Sequence, residues 1–181
     1  MNIFRLSDCP KKAAQLQCNE HVIKMTLESA QMLSSAHRIL DGSEIIVLKN
    51  GRKNRQWVHP DKHLDNVLYK GTHVNHPSSV WVRASKVNYM WLYHHFEALA
   101  KEFTFRYGKT HLSYEKLNHI LCNSPKNIPN IPETQFYLAM QNRPQCIVNG
   151  DPVASYRLFY KTKMQDFKMN WTKRPVPEFM R

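Results

Sequence analysis

The sequence predicts a mainly α protein, a compact single-domain helical bundle with one small β-hairpin inserted at about residues 44–58. Three observations carry this. From Glu20 to about Ile39, the apolar residues Val22, Met25, Met32, Leu33 and Ala36, continued by Leu40, recur at the spacing of one helical face. A second long helical pattern runs from Lys86 to Tyr107, with Gly108 as its stop. β-favouring residues gather in one place only, Ile45–Leu48 and Arg55–Val58, on either side of the hairpin-turn dipeptide Asn50-Gly51.

The remaining elements follow in order. Residues 2–6 are an apolar-rich lead-in. Ser7, Asp8 or Cys9 caps a first helix from Pro10 to Cys18, where a first-turn proline is tolerated. Asn19 caps the second helix and Asp41-Gly42 ends it. Pro77 opens a helix over Ser78–Ala84, which can run on into 86–107. Ser113 caps a helix to about Cys122, and the three prolines of residues 123–133 make a loop. Asp151-Pro152 starts a helix to about Met164, and from about residue 168 an extended basic tail is expected. A chain of 181 residues fits one domain.

Lys and Arg number 26 against 14 Asp and Glu, a net charge of +12. Such an excess favours polyanions, because phosphate contacts release condensed counterions. Double-stranded DNA is therefore the expected partner of a monomer, with a basic surface that only aids solubility as the bland alternative. No stretch approaches the ~20 apolar residues of a membrane span. The start, MNIFRLSDCPKK, lacks the pattern of a signal peptide, and Cys9, Cys18, Cys122 and Cys146 show no CxxC spacing. Reduced thiols in a cytoplasm are expected. Five glycines and no phosphate-binding loop disfavour a nucleotide hydrolase or a dinucleotide enzyme. The pairs His59/His63 and His73/His76 lack a companion acid, and nothing completes Cys18/His21, so neither metal nor small-molecule cofactor is expected.

Candidate chemistry centres on the second helix. His21 and Glu28 lie seven residues apart, about 20° from eclipsed, and share a stripe with Met25 and Met32. A carboxylate on an apolar stripe is costly unless it is paired or used in acid–base work. A solvated helix-edge glutamate or a buried structural pair is the competing reading. Lys24, Gln31 and Arg38 on the same helix are candidate nucleic-acid contacts, and His37 adds a further polar group. His76 precedes a helix start, where free N–H groups can hold a phosphate, and Arg83 follows on that helix. Arg106, Lys109 and His111 surround a helix stop, and Arg157 and Lys161 stand i, i+4 beside Tyr156 and Tyr160. Basic and aromatic residues interleaved in this way suit phosphate contact and base stacking, although most of the aromatics are expected in the core.

The first 110 residues or so resemble the phage endonuclease-V-type pyrimidine-dimer DNA glycosylases and their bacterial relatives. The resemblance rests on the histidine and glutamate of NEHVIKMTLESAQML, and on VNHPSSVWVR with His76, Pro77 and Arg83. It implies a helical protein whose α-amine attacks the sugar beside a carboxylate, here Glu28, with His21 orienting the sugar or phosphate or relaying protons. The family carries a small residue after the initiator methionine; Asn2 stands there in this sequence, which implies that Met1 is kept and supplies the amine. Arginines near the family's glutamate are Leu27 and Gln31 here, and the hairpin and the chain beyond about residue 120 have no counterpart. Met1, Asn2, His21 and Glu28 are thus the catalytic candidates.

Three readings stay open. One is a DNA glycosylase, with or without strand-nicking lyase activity, acting on damaged or modified pyrimidines by base flipping. Another is a phage DNA base-modification enzyme acting on hypermodified pyrimidines. The last is a basic nucleic-acid-binding protein without catalysis.

Overall fold

The computed structural model describes residues 1–181, the Lys49 side chain excepted. Seven helices and one antiparallel hairpin form a mainly α domain: α1 Pro10–Gln15, α2 Asn19–Asp41, β1 Ser43–Lys49, β2 Arg52–Val58, α3 Lys62–Val67, α4 Pro77–Ala84, α5 Lys86–Tyr107, α6 Leu112–Leu121 and α7 Pro152–Thr162. No helix among the described residues is long and apolar enough to cross a membrane.

α2 and α5 form the centre. α2 packs on α5, α4 and α6, and α1 lies across α5. Val22, Met25, Met32, Leu33 and Ala36 are buried, so the stripe read from the sequence is the one that faces the core. It meets Tyr89, Leu92, Phe96 and Leu99 of α5. α4 and α5 are separate helices, because Ser85 is extended between them (φ −151°, ψ 156°). Its hydroxyl accepts the Asn88 N–H, which caps α5. α2 begins at Asn19 rather than after it, with Cys18 at the cap, and α1 stops at Gln15, short of Cys18.

β1 and β2 pair from Ser43↔Val58 to Leu48↔Lys53. The turn places Asn50 and Gly51 at φ 50° and 74°, the two positive values that a type I′ hairpin needs. At the hairpin's root Gly42 is irreplaceable for steric reasons, since a Cβ there would lie 2.4 Å from the Arg38 carbonyl oxygen. α3 has no counterpart in the sequence reading. It is six residues long, too short for a periodic pattern, and the Asp61 side chain caps it by accepting the His63 and Leu64 N–H groups.

One expectation fails here. Arg38 is not a nucleic-acid contact but a fully buried knot. Its five N–H groups donate to the carbonyl oxygens of Tyr69, Trp57, Asp65 and Leu68 and to the Asp65 carboxylate. The guanidinium's entire donor capacity is spent on tying α2 to the hairpin and α3. The extended basic tail is tied to the body. The Asn19 N–H donates to the Asn170 carbonyl oxygen, the Trp171 indole to Leu16 O, and Arg174 pairs with Glu102. Apolar burial of Met180 closes it onto the body.

Candidate active site

The first residues thread between α2 and α7. Ile3, Phe4 and Leu6 are buried, and the Phe4 ring lies 4.6 Å from the His21 ring and 5.0 Å from the Tyr160 ring. Asn2 is bolted on every side. Its Oδ1 accepts the Ile3 N–H and the Tyr156 hydroxyl, each at 2.8 Å. Its Nδ2 donates to the Ala139 carbonyl oxygen. Arg5 pairs with Asp8 and Glu133 and stacks over Trp91 and Phe136.

This latch delivers the amino end to Glu28. The Asn2 N–H donates to Glu28 Oε2 at 3.0 Å, and the Met1 amine stands 3.8 Å from the same oxygen. Lys24, one turn earlier on α2, holds its Nζ 3.7 Å from Oε1. The Glu28 side chain is only 12% exposed, so this carboxylate is paired and not a solvated helix edge. Asn2 itself is a positioning residue, since its amide is engaged with Ile3, Tyr156 and Ala139.

His21 is buried and its Nδ1 lies 2.7 Å from the Tyr160 hydroxyl. That hydroxyl accepts the Cys18 N–H, and His21 Nδ1 is the acceptor within reach of its own hydrogen. The imidazole is therefore the neutral tautomer with its proton on Nε2. Burial, helped by the Lys24 and Lys163 charges, lowers its pKa to about 4. Near neutral pH, His21 is a hydrogen-bond donor and not a cation. His76 caps α4 through Nδ1, which accepts the Ser78 N–H. Burial lowers its pKa, the amino terminus and His73 lower it further, and Glu28 opposes them, which places His76 within the field of the site.

Met1, Asn2, His21, Lys24 and Glu28 line a cavity of about 300 Å³ whose far wall is Phe159, Lys163, Asp166 and Phe167. Wider grooves exist, one of about 500 Å³ between α1 and α5 and one of about 710 Å³ beside α3 and α6. The smaller cavity is favoured here for its chemistry, an amine and a carboxylate converging under partial burial. No family model, curated protein or solved structure matches the chain.

The other candidates divide. His76 is brought to the site and half-buried Gln31 lies one turn beyond Glu28. Arg83 is half-buried and donates to the Val74 carbonyl oxygen. Arg106 is buried and cannot grip a phosphate: it is taken up by Glu102, Asn19 Oδ1 and the Gln15 carbonyl oxygen. Arg157 and Lys161 stand two residues from Phe159, and Lys161 two from Lys163, about 200° round α7. They face away from the cavity, Arg157 donating to Leu6 O and Lys161 to Arg181 O. Lys109 is exposed beyond α5 and lines no part of the cavity. The sequence reading set Lys163 in the basic-aromatic helix without assigning it to a site, and missed Phe159, Asp166 and Phe167. Their one sequence signal was the amphipathic pattern after Pro152, which says nothing about what α7 packs against.

Proposed function

We propose that this chain is a DNA glycosylase acting on damaged or modified pyrimidines, with the Met1 amine as nucleophile and Glu28 as its acid–base partner. The observation that supports this most is the Met1 amine 3.8 Å from Glu28 Oε2 at the wall of a cavity. An amine held beside a carboxylate that can take its proton is a suitable nucleophile. Attack on C1′ of a flipped-out deoxynucleotide forms an N–C1′ bond as the bond to the base breaks. The base leaves with the electron pair and takes up a proton. Glu28 accepts the proton lost from the amine and, as the sugar ring opens to the imine, returns one to O4′. His21 Nε2–H is a fixed donor for a sugar or phosphate oxygen. Lys24 and Lys163 neutralise phosphate charge at the rim.

Borohydride trapping on abasic and damaged duplex DNA tests the proposal. Wild-type protein is expected to trap, with peptide mapping placing the cross-link on Met1. Glu28→Gln should cut base release by roughly 10²–10⁴-fold. A two-residue extension ahead of Met1 should abolish trapping. A cross-link on Lys24 or Lys163, or base release undiminished in Glu28→Gln, would refute these assignments. A nucleoside of altered mass on an intact glycosidic bond would replace this reading with base modification. Salt-sensitive binding with no product on any DNA would leave a binding protein.

A further inference from the structure

The C-terminal turn of α2 carries His37 and Asp41, which share a face at i, i+4. The hairpin leaves α2 at Ser43 and returns at Val58, the residues that pair at its open end. His59 is the next residue, so closure of the hairpin carries it back against the His37/Asp41 pair. One nitrogen of each histidine and one carboxylate oxygen lie within 4.8 Å of one another, a grouping of three that occurs once among the described residues. The three line the cavity of about 710 Å³ that His119 also borders.

The hydrogen bonds around the cluster say what its centre lacks. His37 Nε2 lies 3.1 Å from the Asn123 carbonyl oxygen and 2.9 Å from the Tyr89 hydroxyl. Tyr89 sends its own hydrogen to the Leu121 carbonyl oxygen, so both neighbours of Nε2 are acceptors. The proton of His37 is therefore on Nε2, and Nδ1 keeps its lone pair. Asp41 accepts the Lys126 and Asn127 N–H groups, one on each oxygen, and each oxygen retains a lone pair. His59 is 7% exposed, its Nδ1 accepts the Asp61 N–H at 3.1 Å, and its Nε2 is buried with no partner. A buried, unpaired nitrogen is costly, and this one belongs to a ring clustered with a carboxylate and a second imidazole.

We propose that His37, Asp41 and His59 bind one divalent transition-metal cation of the zinc class. Two imidazoles and a carboxylate are a zinc donor set, and an open fourth position faces the cavity. Coordination through His59 Nε2 shifts that ring's proton to Nδ1, at the loss of the Asp61 N–H bond, and releases none to solvent. Metal–ligand bonds of ~2.0–2.1 Å in a tetrahedron put ligand atoms ~3.4 Å apart, so the three draw in by ~1 Å or less from their outer limit. The outer contacts stand ready, His37 Nε2–H on a carbonyl oxygen and Asp41 on two amides. Asp41 is thirteen residues along α2 from Glu28, ~20 Å away, so the ion ties the hairpin's root to α2 and takes no part in the amine chemistry.

Full-length protein stripped with chelator is titrated with Zn²⁺ and Co²⁺. One equivalent is expected to bind, with a visible Co²⁺ band of tetrahedral intensity. A hundredfold excess over Kd should raise Tm by roughly 5–10 °C. His59→Asn should lose both effects, whereas His63→Ala, at an exposed neighbour, should keep them. Should His59→Asn not fold, nitrogen-labelled histidine NMR of the wild type decides: the His37 and His59 ring nitrogens must shift on Zn²⁺ addition. No binding would overturn the proposal in favour of a bridging water that accepts from His59 and donates to His37 and Asp41. Uptake at exposed histidines instead would overturn it as well.

Discussion

Replacing Asn2 by Leu keeps the side chain's size while removing its amide. The cost follows from three hydrogen bonds: Oδ1 from the Ile3 N–H and the Tyr156 hydroxyl, and Nδ2 to the Ala139 carbonyl oxygen. The Ile3 contact is local and partly replaceable by water. The other two groups are harder to satisfy. Tyr156 is wholly buried, and although its oxygen still accepts the Ala139 N–H, its hydrogen loses its acceptor. An orphaned buried polar group costs ~1–3 kcal/mol, so two give ~2–4 kcal/mol after partial relaxation. At roughly 2–4 °C per kcal/mol for a domain of this size, Tm should fall by roughly 5–15 °C. Urea denaturation of Asn2→Leu, Tyr156→Phe and the double variant completes a cycle. Deleting the hydroxyl should cost ~0.5–1.5 kcal/mol less in the Asn2→Leu background than in the wild type, making the two losses sub-additive. Strict additivity, or a loss below ~0.5 kcal/mol for Asn2→Leu, would mean that the amide does not hold the amino end in place.

Two further predictions concern buried charge and pH. Arg38→Met leaves four carbonyl oxygens and the Asp65 carboxylate without their donors and should cost ~3–5 kcal/mol in urea denaturation; a loss under ~1 kcal/mol would mean that water replaces the guanidinium. His21, His37 and His95 each have a pKa pulled down to about 4, chiefly by burial. A folded pKa below the unfolded ~6.5 means that the unfolded chain binds the protons first, so stability is full above ~6.5 and lost as pH falls toward 4. Near pH 5 the slope should approach roughly 3–4 kcal/mol per pH unit, read as urea midpoints between pH 7 and 5; a flat profile would contradict neutral, buried imidazoles.

Much of the scaffold was legible in the sequence because local rules govern it. The α2 stripe, the Gly108 stop of α5, the Asp151-Pro152 start of α7 and the Asn50-Gly51 turn each depend on residues within a few positions of one another. The glutamate of the candidate site was legible for the same reason, as a carboxylate on an apolar helical face. That the amino end meets it was implied only by the family resemblance. Met1 reaches Glu28 because Asn2 is held by Tyr156 and Ala139, more than 130 residues away, and no spacing rule reports such a contact. Arg38 and Arg106 were misjudged because formal charge carries no information on burial; Asp65 and Glu102, their partners, lie on other turns or elements. The histidine pairs close in sequence proved irrelevant to metal-type clustering, while His59 meets His37 through the hairpin's return.

The cavity has walls from segments far apart along the chain, Met1 and Asn2 on one side and Lys163, Asp166 and Phe167 on the other. During synthesis the first residues leave the ribosome long before their counterparts exist. Until the segment beyond about residue 167 has emerged, Phe4 and His21 have no aromatic cover from α7 and the turn after it. A nascent chain therefore carries the amine and the carboxylate without their enclosure until about residue 167 is free to fold.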